Sequence, residues 1–358
     1  KKADGTGNLS VPAETGTVVT TASPSLGRRN IAYNGAMNVW QRGTSADTAS
    51  SGDYMCDRWQ VTFTGLDGNV DWDQETASTP DGFGSALKIS TDASETSLDA
   101  ADYLFFRQKF EGQDLQQLQK GTSGSKSLTV SFWVKSSVAS NYTSELYDAD
   151  NDRMITKSYT INAVDTWEFK TITFEGDTTG AFDNDNNASL FLRFWIDAGS
   201  NFSSGTFSTA WQVSNNANRL NSTTGWLESA SPEFYITGVQ LEVGSVATPF
   251  EHRSYGEELA LCQRYYQASN GTEAGVIATH SSSNGWSNRF FYTTAMRANP
   301  TLTIPLAESY NGSSWVAWTN KPTGTSTTSF YIDCAGGFSS SYSNAYLFNA
   351  SWTADAEL

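Results

Sequence analysis

The sequence predicts an all-β protein: a jelly-roll β-sandwich, then a smaller C-terminal β-sandwich-like domain, with an extended N-terminal arm and one connecting helix. Three observations carry this. Apolar and polar residues alternate through many short segments, the period-two pattern of half-buried strands. Gly, Ser, Thr, Asn and Asp crowd the intervals between them, as turns require. Only one long stretch, "SYGEELALCQRYYQ" (254–267), has helical spacing.

The chain has 358 residues, enough for two domains and an arm. Residues 1–28 are the arm. "GNLSVPAETGTVVTT" holds too few apolar groups to offset its own ordering entropy, so it is expected to be disordered or intertwined with other copies. Residues 29–250 form the sandwich. "DRWQVTFTG" (57–65) alternates Trp59, Val61 and Phe63, and "SLTVSFWVKSS" (127–137) alternates Leu128, Val130, Phe132 and Val134. "SELYDADNDRMITKSYTI" reads as a hairpin turning on Asp150-Asn151-Asp152; "EFKTITFEG", "SLFLRFWID" and "EFYITGVQLEVG" complete the series. "QDLQQLQK" (113–120) reads as a short surface helix with Leu115 and Leu118 inward.

Residues 251–267 form the linker helix. Ser254 and Glu257 make a capping-box pattern, and Tyr255, Leu259, Cys262 and Tyr266 fall at steps of four, three and four along one helical face. Pro249 holds the preceding residue extended and fixes where the helix starts. Residues 268–358 are a second β-rich unit, small enough that association with other copies would help it bury a core.

Twelve Trp, 15 Tyr and 20 Phe supply ample material for a core. Lys and Arg total 22 against 38 Asp and Glu, a net charge of −16, which repels phosphate backbones and anionic headgroups; neither nucleic acid nor membrane insertion is expected. Cys56, Cys262 and Cys334 are far apart and read as small buried hydrophobes.

Three segments together resemble one family. "NIAYNGAMNVWQRGTS" (30–45) followed by "YMCDRW" (54–59) resembles the opening of a module common in tail-fibre proteins of tailed phages, particularly marine ones. "GVQLEVGSVATPFEHRSYGEELALCQRYYQ" (238–267) resembles the close of that module and its linker, and "MRANPTLTI" (296–304) the start of the terminal domain that follows. The N-terminal segment is similar to trimer-threaded shaft sequence. The module is in turn similar to jelly-roll carbohydrate-binding modules. The resemblance implies a homotrimeric virion fibre, with other phage tail proteins and a host cell-surface glycan or receptor as partners, acting outside the cell as part of the phage tail. Those sugar-binding relatives often hold a structural calcium through an acidic residue in the closing strand. Here "YITGVQLE" places Thr237 and Gly238 there, so the resemblance does not carry the calcium over.

The chemistry points to binding rather than catalysis. Asp148, Asp150 and Asp152 have the opening spacing of a calcium loop, but Arg153 stands where its glycine should be and Tyr159 where its closing glutamate should be. Asp183, Asp185 and Asn187 repeat the spacing no better. Structural calcium is the one ion left open, and no other cofactor is expected. Two histidines, His252 and His280, exclude His-rich zinc sites, and nucleophile and phosphate-loop motifs are absent from the sequence. No enzymatic activity is expected. Pyranose rings stack on Trp and Tyr while Asn and Asp bond at the rim. The preferred patch is Asn284, Trp286, Tyr310, Trp315 and Trp318 in the terminal domain, with Asp71, Trp72 and Asp73 as a second. Trp226 has a similar polar setting, whereas Trp59, Trp133 and Trp195 are expected in the core. Tyr255, Leu259, Cys262 and Tyr266 are expected at the three-fold axis. The rival readings are a purely structural fibre or head decoration, a glycan depolymerase, and a secreted carbohydrate-binding module of a bacterial protein.

Overall fold

A computed structural model describes residues 28–269, 273–277, 285–310, 315–317, 323–335 and 346–358. The expectations for residues 1–27 lie outside the described residues. Twelve strands build the sandwich: β1 (Ser45–Ala46), β2 (Gln60–Thr64), β3 (Val70–Glu75), β4 (Ala86–Thr91), β5 (Tyr103–Glu111), β6 (Leu128–Ser136), β7 (Asn141–Asp148), β8 (Arg153–Thr160), β9 (Glu168–Phe174), β10 (Ala188–Ala198), β11 (Gln212–Val213) and β12 (Glu233–Val243). They form two six-stranded antiparallel sheets, ordered β1-β3-β4-β12-β6-β9 and β11-β8-β7-β10-β5-β2. Sequence neighbours often lie in different sheets, as a jelly roll requires.

Alternation decides the core. Val130, Phe132, Val134, Phe234 and Ile236 of the first sheet meet Leu104, Phe106, Leu192 and Phe194 of the second, all buried in one cluster. Aromatic rings lock the two layers: Phe132 meets Phe194 edge-on at 5.0 Å, and Tyr142 meets Phe234 at 5.5 Å. Trp226, whose polar flanks do not demand burial, is fully buried in this core: its loop folds back and its indole nitrogen donates to the Glu233 carbonyl. Trp133 is corrected the other way. It is only half-buried on the outer face of the first sheet, 5.4 Å from Phe169. The predicted helix over 113–120 is two 3-10 turns, Gly112–Asp114 and Gln116–Leu118, that do bury Leu115 and Leu118.

The segments that carried the resemblance have a structural task. Asn34 bonds Val39 and Asp57 carbonyls through Nδ2 and accepts from Asn38 and Val39 amides, folding "NGAMN" into a closed loop. Asn30 joins the start of the sandwich to its last strand, donating to Val239 O and accepting from Leu241 N. Glu251 accepts from the amides of Arg29 and Asn30, so the beginning and end of the module are stitched together. Gly238 sits at φ +63° in a bulge of β12, where a Cβ would meet the Phe83 ring at 2.7 Å, so glycine is favoured there.

The linker helix α1 (Tyr255–Gln263) starts as predicted: Ser254 Oγ accepts from Glu257 N and the Glu257 carboxylate accepts from Ser254 N. It ends four residues earlier than expected. Tyr266 leaves the helix for β13 (Tyr266–Ala268), where it pairs with Asp355. Cys262 and Tyr266 are buried within this chain, Leu259 is half-buried, and Tyr255 is 60% exposed. The expected single stripe is therefore split, and its C-terminal half is already covered.

The C-terminal lobe adds β14 (Glu273–Ile277), β15 (Gly285–Phe291), β16 (Thr301–Tyr310), β17 (Trp315–Ala317), β18 (Thr323–Thr325), β19 (Ser329–Ala335) and β20 (Tyr346–Asp355). β13, β20, β16 and β17 follow one another in a sheet that β14 joins at β20, while β15, β19 and β18 form a second. Phe330 and Trp352, 4.9 Å apart, centre a small core.

Buried charge fastens this lobe to the sandwich. Arg264 reaches Glu111 at 2.7 and 2.8 Å, and Tyr265 Oη donates to the same carboxylate at 2.6 Å. Burial alone would raise the Glu111 carboxyl; the bonds from Arg264 and Tyr265 outweigh it and hold the group below its ordinary range. Arg58 pairs with Glu357 and lies 3.4 Å above the Tyr265 ring. Arg297 and Asn186 exchange side-chain to main-chain bonds across the same seam.

Candidate functional site

The outer face of the second sheet is unlike an ordinary solvated sheet face. Antiparallel register aligns its outward side chains in three cross-strand rows. One row runs Lys109, Phe191, Tyr147, Met154, Gln212; the next Gln60, Arg107, Arg193, Glu145, Thr156; the third Thr62, Phe105, Trp195, Thr143, Ser158. A cationic, polar row thus lies between two rows rich in aromatic rings.

The third row is partly roofed. Phe105 and Trp195, 4.6 Å apart, are covered by Phe202 and Leu220 from the long connection between β10 and β12. Asp197 anchors that loop, accepting from the amides of Ala198, Thr224 and Leu227. Trp195, expected in the core, is buried, in this separate cluster rather than between the sheets. The first row stays open: Lys109, Phe191 and Tyr147 are half-buried, with Arg107 beside them.

Glu145 organises the middle row. Its carboxylate accepts from Arg193 at 2.9 Å, from Arg219 of the covering loop, and from Trp195 Nε1 at 2.7 Å. Burial would raise this carboxyl, and the two guanidiniums pull it below the ordinary range. Arg193 lies 4.4 Å from the Tyr147 ring centre and 5.4 Å from Phe191, and Arg107 lies 5.3 Å from Phe191. The rings are thereby held as fixed platforms beside fixed donors. Such a face can stack a flat apolar patch and bond the polar groups around it.

The sequence-predicted sites fall elsewhere. Asn284 and Trp318 lie outside the described residues, as do the side chains of Trp286 and Tyr310. Trp315 is 43% exposed on β17, and backbone register sets Tyr310 opposite it. Trp72 is not a surface ring: it is buried against Trp40 at 5.8 Å, because β3 turns it inward. Its neighbours Asp71 and Asp73 face outward from the first sheet, half-buried.

The acidic hairpin is satisfied internally. Asp148 is buried and accepts from the Asp150 and Asn151 amides, Asp150 accepts from Asp183 N, and Asp152 from Tyr147 Oη. Asp185 accepts from Asn187, closing its own turn. Where a cation would be wanted, Lys120 Nζ lies 2.5 Å from Asp148 and 3.2 Å from Asp177, and donates to the Thr179 and Gly180 carbonyls. A shallow pocket lined by Lys120, Phe182 and Trp211 adjoins this paired network. Among the described residues, no three His, Cys, Asp or Glu side chains gather as metal ligands. Cys56 and Cys262 are buried thiols; the Cys334 side chain lies outside the described residues.

The outer-face residues had a signal. "YLFFRQKF" and "SLFLRFWID" place aromatic and cationic residues at positions of β5 and β10 that point away from the core. Reading only the inward alternation missed them.

No family model and no curated protein matches the chain. Among solved structures it is similar to the enzymatically active domain of bacteriophage CBA120 tailspike protein 4, at 13% identity over 60% of this chain, with a TM-score of 0.32. The chain spans 21% of that protein's length. It is also similar to a family 4 carbohydrate-binding module, at 14% identity over 59% of this chain and 97% of the module, TM-score 0.31. A family 11 module from Clostridium thermocellum, solved with a mixed-linked tetrasaccharide, gives 13% identity over 57% of this chain and 98% of the module, TM-score 0.29.

Proposed function

We propose that the outer face of the second sheet binds saccharide, and that the chain serves as a homotrimeric phage tail fibre attaching to glycan on the host cell surface. The carrying observation is the alternation of open aromatic rings, Phe191 and Tyr147, with the Arg107–Arg193 donor row on rigid strands. The phage assignment rests on the sequence resemblance of segments 30–45, 54–59, 238–267 and 296–304. Three copies facing a repetitive surface add weak contacts through effective concentration, so no single site has to be tight. No bond is broken in this reading. The three rows contain one carboxylate, Glu145, and it is engaged by two arginines and Trp195, whereas a glycosidase needs a pair of carboxylates with roles of their own.

Two experiments test it. Binding of the intact chain to a glycan panel is expected, and Phe191→Ala with Tyr147→Ala is expected to abolish it; full retention overturns the assignment of this face. Solution mass of the intact chain, compared with one lacking residues 1–27, is expected to be trimeric only with the arm. A clean monomer for the intact chain overturns the fibre reading.

A further inference from the structure

Resting on that saccharide reading, we infer that the sugar taken by this face is anionic: a carboxylate or sulfate seats against Arg107 and Arg193 while the sugar ring lies on Phe191. Arg107 and Arg193 stand directly opposite one another on antiparallel strands, an arrangement of like charges that costs stability unless something neutralises it. Glu145 compensates Arg193 and Arg219 but forms no ion pair with Arg107. The side chain of Arg107 donates to the neutral Gln60 amide at 2.9 Å. Lys109, in the adjoining row, donates to the main-chain oxygen of Leu358. Arg193 and Arg219 therefore share one carboxylate while Arg107 beside them pairs with none, in a chain whose net charge is −16.

The arrangement is also short of partners. Arg193 is 8% exposed, yet its Nε has no hydrogen-bond partner, and neither does Gln212 Nε2 at the end of the first row. Buried donors left unmade are costly, and a bound acceptor would relieve them. Burial and the neighbouring Arg193 lower the Arg107 guanidinium to about 10; burial and the nearby Arg107 lower the Lys109 ammonium to about 8. The fold thus holds positive charge at this face against its own electrostatics, while guanidiniums match carboxylate and sulfate oxygens in planar geometry. The acidic remainder of the surface repels long polyanions, which favours a small anionic group presented on a stacking ring.

The test uses the intact chain and matched probes: oligogalacturonate against its methyl ester, and a sulfated galactan oligomer against its desulfated form. One acid is expected to bind at least about tenfold more tightly than its neutral partner, the equivalent of one charge-assisted contact, and to weaken with added salt. Which pair shows the preference separates carboxylate from sulfate. Arg107→Gln is expected to collapse that acid-to-neutral ratio toward one. Equal binding of acid and neutral partners overturns the anionic class and leaves the saccharide reading standing. Absence of binding to every probe and to neutral glucans overturns both.

Discussion

Replacing Lys120 with methionine tests how the acidic hairpin is held. The ammonium is 4% exposed, 2.5 Å from a fully buried Asp148 and 3.2 Å from Asp177. Removing one partner of a buried ion pair leaves an uncompensated charge, at a typical cost of about 3–5 kcal/mol. Asp177 keeps Arg153 at 2.6 Å, and Asp148 keeps two backbone donors and Asn151, so the lower end, about 3 kcal/mol, applies. For a sandwich of this size that is a fall in Tm of about 6–12 °C. Urea unfolding reads the loss of stability and thermal unfolding the shift in Tm. Asp148→Asn in the same chain should recover about 1–3 kcal/mol relative to additivity. A Lys120→Met protein within about 1 kcal/mol of the parent refutes the reasoning.

Four further outcomes follow from the structure. Treatment with a chelator is expected to leave Tm unchanged, because Lys120 fills the position a cation would take between Asp148 and Asp177; a Tm loss restored by calcium would count against it. Trp226→Ala is expected to cost about 3–5 kcal/mol by thermal unfolding, since the ring is fully buried, while Trp315→Ala, at 43% exposure, costs less than about 1. Glu111→Gln removes the negative charge shared by Arg264 and Tyr265 and puts an NH2 donor in place of one accepting oxygen, and is expected to expose the linker to limited proteolysis. Because the folded Glu111 carboxyl titrates below its unfolded value, its contribution is present above about pH 4 and lost as pH falls through the folded value, so parent and variant should converge in acid. Ser254→Ala breaks the capping box at an expected cost of about 1 kcal/mol in chemical denaturation.

Local chemistry was legible in the sequence wherever a few neighbouring residues decide it. Alternation gave β2, β6, β9, β10 and β12, Asp150-Asn151-Asp152 gave the hairpin turn between β7 and β8, and Ser254 with Glu257 gave the first turn of the helix. Each depends on backbone geometry within a handful of positions. The end of that helix did not yield to the same logic. Helical spacing continues through Tyr266, but β20 offers that residue a strand partner, and pairing across about ninety positions outweighs a weak local preference.

Tryptophan shows the same division. Polar flanks left the burial of Trp226 open, and apolar flanks placed Trp133 in the core. Burial depends on where a loop is carried and which sheet face it meets, and neither is written next to the residue. Charge at the candidate site was hidden for a related reason. Arg107 and Arg193 are far apart in sequence and become neighbours only when β5 and β10 pair. By itself, then, the sequence determined an all-β chain with its turns and cap. Only the tertiary structure decided which rings are platforms, which acids are silenced by Lys120, and where positive charge collects, because all three are set by long-range register.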